Sequence, residues 1–437
     1  MGKMSLFLSQ GKVIGFVLWF LAAFCGFSLA DEGIKDELTQ KLIKRVEELE
    51  KKVDSLNDKL KVYEEVAPSS LSDQVIQKKV EDLLVQREQK EGGLVKALKD
   101  IGLSGFIDTS YTYNFNGPDS RANTARVFDT EANNFNLQAA ELVFERLPPD
   151  EGGVGFRSDL FFGQDAEVIT PTGSIRDQFD LEQAYISLKP PLNFKLPFGN
   201  WEWIKIGKFV TMHGAEVIEA KDNWNFTRSL LFGYAIPFTH TGIRAGYQLS
   251  DKLKSYIGLN NGWDNVKDNN KTKSVEGALA WGPVDWLSFT LAGMYGPEQT
   301  SNDHSQRGLI DFLVTYKPFD KWTFMLNADY GHEEDLVAVN KDASWSGVAV
   351  YAKYDVNSWM SLVNRTEFMS DRHGVRVVSG TTQDLWETTF TLELKPYKDL
   401  LTRLEYRHDG ASSKIFTANQ KSADTQDTIG LEAVYLF

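Results

Sequence analysis

Arg403, Glu405 and Arg407 occupy every second position near the end of the chain, with Leu404 and Tyr406 between them. Arg365 and Glu367 are spaced the same way. Arg157 and Asp159 interleave with Phe156 and Leu160, Lys205 sits between Ile204 and Ile206, and Arg244 between Ile243 and Ala245. In an extended chain successive side chains point to opposite faces, so each of these charges shares a face with polar residues while its neighbours build an apolar one. A charged row of this kind has two uses. Guanidinium and carboxylate can satisfy one another and stiffen a wall. Alternatively, they can face water and set up a field that orients small polar solutes. Both readings stand on the sequence.

Signatures of bond-making chemistry are poor. The chain has six histidines, with no HExxH, GxSxG or phosphate-loop spacing. "GHEED" at Gly331–Asp335 lacks a second histidine and is expected on an external loop. Asp264, Asp268 and Asn270 offer oxygen ligands but lack the glycine and terminal glutamate of a calcium loop, so turn chemistry explains them better. The expectation is a protein with no enzymatic activity, no cofactor and no resident metal. A net charge of −14 gives no basic face for nucleic acid.

The elements that carry the charges are strands. From Leu103 to the end the pattern repeats every two residues. "GFIDTSYTYNF" puts Ile107, Thr109, Tyr111, Tyr113 and Phe115 opposite Asp108, Ser110, Thr112 and Asn114. "LIDFLVTYK", "WTFMLNADY" and "LWETTFTLEL" behave alike. A strand with one apolar and one charged face separates two solvents, and an arginine on a lipid-facing side at mid-depth costs about 2–4 kcal/mol. "GPVDWLSFTLA", "KPFDKWTFMLN", "YDVNSWMSLVN" and "KPYKDLLTRLE" repeat one turn device, and Trp286, Trp322, Trp359 and Leu400 follow at intervals of 36 to 41 residues. With "YQLSDKLKSYIGL", Leu147–Gly153 and Pro190–Asn200 there are seven such turns. If both barrel ends lie on the turn side, seven turns and two ends give sixteen strands. The fold class is therefore all-β: a 16-stranded antiparallel transmembrane β-barrel. A soluble sandwich or propeller fits less well, because no linker or blade signature follows Gly105.

The chain before Leu103 follows a different pattern. Lys3 and Lys12 precede an uncharged run from Val13 to Ala30, and Ser28-Leu29-Ala30 is a small-x-small cleavage site, so residues 1–30 read as a signal peptide. Cys25, the single cysteine, would leave with it. No later run is long enough for an apolar membrane helix. Leu42, Val46, Leu49, Val53, Leu56, Leu60 and Tyr63 follow a heptad, so 31–66 reads as a short coiled coil. Residues 67–102 read as a helical linker and 103–437 as the barrel.

"LSGFIDTSYTYNFN", "FNLQAAELVFER", "GFRSDLFFGQDAEVI", "DLEQAYISL", "LNNGWDNVKDNNKT" and above all "SLLFGYAIPFTHTGIRAGYQ" resemble the OmpL-like outer-membrane β-barrel porins of Gram-negative bacteria. The likeness spans about Leu103 to Phe437. It implies an outer-membrane channel for passive diffusion of small hydrophilic solutes and ions, in contact with lipid and lipopolysaccharide, with the coiled coil in the periplasm. Homotrimerisation is the expected assembly. The closing "LEAVYLF", with Tyr435 and Phe437 on its apolar face, looks like the signal read by the outer-membrane assembly machinery.

In barrels of this size the third long connection typically folds inward. Here it runs over 211–237, and would bring Glu216, Glu219, Lys221, Asp222 and Arg228 to a constriction facing wall residues Arg157, Asp159, Lys205, Arg244, Arg365, Glu367, Arg403, Glu405 and Arg407. A structural barrel that tethers the envelope, or an outer-membrane enzyme of little conductance, is the alternative.

Overall fold

The computed structural model describes residues 100–191, 199–338, 340–377 and 380–437. The signal peptide, the coiled coil and nearly all of the helical linker lie outside the described residues.

Within them the chain alternates strand and connection: β1 (Gly102–Asn114), β2 (Asn134–Arg146), β3 (Gly153–Phe162), a short helix α1 (Gln164–Ile169), β4 (Phe179–Lys189), β5 (Asn200–Val210), β6 (Thr239–Ser250), β7 (Leu253–Asn260) and β8 (Ser274–Val284). There follow β9 (Leu287–Pro297), β10 (Gln306–Phe319), β11 (Trp322–Ala338), β12 (Lys341–Asn357), β13 (Met360–Asp371), β14 (Gln383–Tyr397), β15 (Leu400–Ala411), a small hairpin of β16 (Phe416–Ala418) and β17 (Lys421–Ala423), and β18 (Thr425–Leu436). All but the hairpin form one closed barrel of sixteen antiparallel strands. Each strand pairs with its sequence neighbours, and β18 closes on β1 from Phe106↔Leu436 to Asn114↔Thr428, so no edge is left unpaired.

The two-residue period decides what each face meets. Along β18, Leu431, Tyr435 and the adjoining Phe437 are exposed on the outer face, whereas Glu432 and Val434 are buried inside. On β10 and β11, Ile310, Phe312, Leu326 and Tyr330 point out, and Asp311, Asn327 and Asp329 point in. Exposed aromatics gather towards both rims. Trp286, Phe319, Trp322, Trp359 and Tyr397 lie at the turn end, and Phe135, Phe179, Tyr295 and Trp386 at the other, as the two interfaces of a bilayer require.

Five of the connections at the end where the barrel starts and finishes are two-residue turns: 251–252, 285–286, 320–321, 358–359 and 398–399. At the opposite end the connections are mostly longer. "GHEED" departs from its expected place. Gly331–Asp335 lies on β11, which extends to Ala338, because β11 and β12 continue as a long hairpin past the neighbouring strands.

Two β-bulges re-aim inward residues. Between β1 and β2 the register jumps so that Asp108 faces Ala139 and Thr109 faces Leu137, which leaves Gln138 as the extra residue. Between β3 and β4, Asp159 faces Gln183 and Leu160 faces Leu181, and Glu182 is the extra one. Gln138, Ala139, Glu182 and Gln183 are consequently all buried.

Candidate functional site

The connection from Thr211 to Phe238 passes into the barrel and docks on the inner faces of β11 to β15 and β18. It is irregular, with a positive φ at Gly214, a 3-10 turn over Ala220–Asp222 and a π-helical turn over Leu231–Ala235. Such a backbone is stable away from bulk water only if its polar groups find partners, and the wall supplies them. The amides of Phe226 and Thr227 donate to Glu405 at 2.7 and 3.0 Å, and those of Leu230 and Leu231 to Glu367 at 2.5 and 3.2 Å. Arg365 donates to the Thr227 carbonyl at 2.5 Å, Arg407 to the Arg228 carbonyl at 2.7 Å and Arg403 to the carbonyls of Ala220 and Asn223. Indole Nε1 of Trp345 reaches the Ala235 carbonyl at 3.0 Å.

An apolar seat complements these bonds. Ile218, Leu230, Leu231, Phe232 and Ile236 of the loop belong to one buried cluster with Trp345, Ala349, Tyr351, Met369 and Leu385 of the wall. Missing side chains make room for it. A Cβ on Gly347 would come 2.3 Å from Leu231 Cδ2, and one on Gly430 would come 2.9 Å from the Phe226 ring.

The wall charges form a lattice under the loop. Arg365 pairs with Glu387 and with the loop's Glu216, each at 2.7 Å. Arg403 pairs with Glu432 at 2.8 Å and Glu393 at 3.2 Å. Arg407 pairs with Asp409 at 2.8 Å and lies 3.6 Å from Glu387, and Arg126 closes the row on Asp129 and Asp409. Glu216 also accepts the amide of Ser229 at 2.7 Å. Arg365, Arg403 and Arg407 are each at most 1 % exposed. The residues assigned from sequence to a wet pore wall at these positions are therefore covered, since the docked loop lies over them and shares their hydrogen bonds with the wall carboxylates.

The other expected residues lie elsewhere. Arg228 is buried against Asp165 of α1 at 3.3 Å, with its guanidinium 4.6 Å from the Phe128 ring. Burial pushes the Asp165 carboxyl up to about 7 against the pull of Arg228. Arg244 holds Glu276 at 2.8 Å beside His240. Arg157 chelates Asp159 at 2.9 Å and remains half-buried. Lys205 is also half-buried, its ammonium 4.4 Å from the Tyr185 ring and 4.7 Å from that of Trp203. On the loop, Lys221 and the exposed Asp222 pair with each other, and Glu219 is buried. Asp264 and Asp268 serve turns: Asp264 accepts the amides of Phe238 and Thr239, and Asp268 that of Asn270.

His213, at the start of the loop, is buried with no protein partner on either ring nitrogen. Desolvation, aided by His240, holds its pKa down at about 3. The unfolded chain takes up this proton near pH 6.5 and the folded chain does not. Stability thus falls as pH drops from about 6.5 towards 3, by up to about 1.4 kcal/mol per unit for this group. Urea midpoints measured across that window should lose this part of their slope in His213→Leu.

Glu387, Glu393 and Glu432 complete the lattice without having been singled out from sequence, although their inward parity was visible. Arg126, Asp129 and Asp165 come from connections with no period, so nothing in the sequence placed them.

No curated protein sequence matches the chain. Among solved structures, the anion-selective porin from Comamonas acidovorans superposes with a TM-score of 0.54 at 10% identity, over 77% of this chain and 99% of that one. The outer membrane channel DcaP of Acinetobacter baumannii gives 0.52 at 13% identity, over 77% and 97%. OmpT of Vibrio cholerae, in-vitro folded and in trimer form, gives 0.51 at 11% identity, over 77% and 99%. These likenesses carry the barrel fold. Residues 100–437 match the family described as "Putative beta-barrel porin-2, OmpL-like", and with the closed sixteen-stranded barrel this establishes that the chain belongs to the OmpL-like β-barrel porins of the Gram-negative outer membrane.

Proposed function

We propose that the protein is a passive diffusion channel for small hydrophilic solutes and ions, narrowed by the connection 211–237. The observation that supports this reading is the docking of that connection inside the barrel, on the wall, through Glu367, Glu405 and the three buried arginines. Because those arginines are covered, the field acting on solutes comes from the half-buried Arg157 and Lys205 on the wall and from half-buried Lys221 with exposed Asp222 on the loop. Glu216 and Arg228 act as internal anchors of the loop. The acid excess of the chain gives a mild lean towards cations. Lipid and lipopolysaccharide surround the apolar outer face. A homotrimer is proposed by analogy with the trimer form of the Vibrio cholerae protein, and the mass of the particle in mild detergent tests it.

Lys205→Glu reverses one charge at a half-buried wall position without touching the loop's hydrogen bonds. It should shift the zero-current potential of the reconstituted channel in a salt gradient towards stronger cation selectivity. An unchanged potential in both Lys205→Glu and Arg157→Glu would remove the transverse-field reading. Swelling of liposomes in uncharged sugars of graded size would still report the passage.

A further inference from the structure

The clasp on β11 to β15 and β18 holds the loop from one part of the wall; the loop also meets β2 and β4, at three carboxylates. Glu141 on β2, Glu182 on β4 and Glu219 on the loop each place an oxygen within 4.8 Å of the other two. All three are buried, Glu182 at 0% exposure. Acidic residues gathered at a surface need no ligand, but these are arranged differently. Both carboxylate oxygens of Glu182, and one of Glu141, are buried without any protein hydrogen-bond partner. Among the described residues no lysine, arginine or histidine lies within ion-pair distance of any of the three. The cations nearby are engaged by other acids: Lys208 by Asp180 at 2.6 Å, Arg157 by Asp159 at 2.9 Å and Lys221 by Asp222. The bulge in β4 is what turns Glu182 into the cluster, since it makes Glu182 and Gln183 both face inward.

Three carboxylates buried together without compensating charge would oppose docking of the loop. A cation among them removes that opposition. The donor set is oxygen only, with no thiolate or imidazole, which selects a hard ion. The mutual reach of the oxygens accommodates metal–oxygen bonds of about 2.3–2.6 Å, and a site with three protein ligands from three separate segments, completed by water, suits the irregular coordination of calcium better than the strict octahedron of magnesium.

We propose that Glu141, Glu182 and Glu219 bind one calcium ion, which latches the inward loop to β2 and β4 in addition to its arginine clasp. The ion would bridge two wall strands to Glu219, immediately before the 3-10 turn that carries Lys221 and Asp222, and so fix those two side chains. This goes beyond the channel reading and does not depend on conduction.

The test uses the purified mature protein in detergent after treatment with chelator, titrated with calcium chloride by calorimetry at neutral pH. Wild type should bind one calcium per chain, and Glu182→Gln and Glu219→Gln should each weaken binding by roughly tenfold or more, since each removes a charged ligand. Heat-dependent mobility on gels shows that each variant has closed its barrel. Stability supplies a second readout. In chelator, Glu182→Gln should raise the urea midpoint, because repulsion is relieved. Calcium should raise the midpoint of wild type and leave that of Glu182→Gln nearly unchanged. Absence of binding by wild type at millimolar calcium, or equal affinity in wild type and both variants, overturns the proposal. So does stabilisation of Glu182→Gln in chelator with no calcium response in wild type, which is the behaviour of carboxyls sharing protons.

Discussion

Arg365→Ala is expected to undock the inward loop. The guanidinium is fully buried and joins three parties: Glu387 of β14 at 2.7 Å, Glu216 of the loop at 2.7 Å, and the loop backbone at the Thr227 carbonyl at 2.5 Å. Weaker bonds reach Thr227 Oγ1 at 3.2 Å and Thr389 Oγ1 at 3.4 Å. Truncation leaves Glu216 and Glu387 buried without this cation, with Glu367 close by. Breaking a buried pair by removing one member costs about 3–5 kcal/mol, more than the intact pair is worth against an apolar substitute. The loop can escape that penalty by moving, whereas the hydrogen-bonded barrel cannot, so the loss should fall on the loop. The expected results are protease cleavage within 211–238 in the folded barrel, a larger and noisier single-channel conductance, and a lower urea midpoint for loop release. Arg365→Lys should fall between, since a lysine keeps the charge but not the planar fork that serves Glu387 and Glu216 together. A loop equally resistant to protease in Arg365→Ala would show that the apolar seat alone holds it.

Removal of Phe437 should reduce assembled barrel far more than it reduces synthesis. The residue closes the seam: its amide donates to the Gly105 carbonyl at 3.1 Å and its carbonyl accepts from the Gly105 amide at 3.0 Å. The ring lies over Gly105, where a Cβ would come 2.7 Å from Phe437 Cζ and 2.1 Å from the Glu141 carbonyl oxygen. Deletion removes two ladder bonds and uncovers part of an edge. Two variants separate structural closure from recognition by the assembly machinery. Gly105→Val blocks the seat and should impair folding both in detergent and in cells. Phe437→Ala keeps the backbone bonds, and should fold in detergent nearly as wild type while accumulating poorly in the outer membrane. Normal accumulation of Phe437→Ala would assign the terminal ring to packing alone.

The barrel was legible because each strand has to solve the same problem. Ile310, Phe312 and Tyr316 against Asp311 is a statement about two solvents, and repeating it sixteen times leaves little choice of fold. The two-residue turns at 251–252, 285–286, 320–321, 358–359 and 398–399 recur in sequence because tight turns constrain residue type. The inward path of the connection 211–237 was an expectation from the size of the barrel and the place of the connection between strands, since its aperiodic sequence contains no local signal for the wall it meets. Parity put Arg365, Arg403 and Arg407 on the face opposite the apolar one, and all three are buried. It could not say whether water or a loop would cover them, because that depends on contacts separated by well over a hundred positions, such as Arg365 with Glu216. The buried carboxylates were hidden for a related reason. Glu182 enters their cluster through a bulge, and a bulge breaks the very alternation by which inward residues are read.

A wet channel narrowed by a docked loop should conduct, and should conduct more once the loop is removed. Planar-bilayer recording of the purified protein compares wild type with a chain in which residues 214–236 are replaced by a short Gly-Ser linker. Discrete conductance steps from wild type and severalfold larger steps from the loop-replaced barrel are predicted. Silence from both, or steps of one size from both, would contradict it.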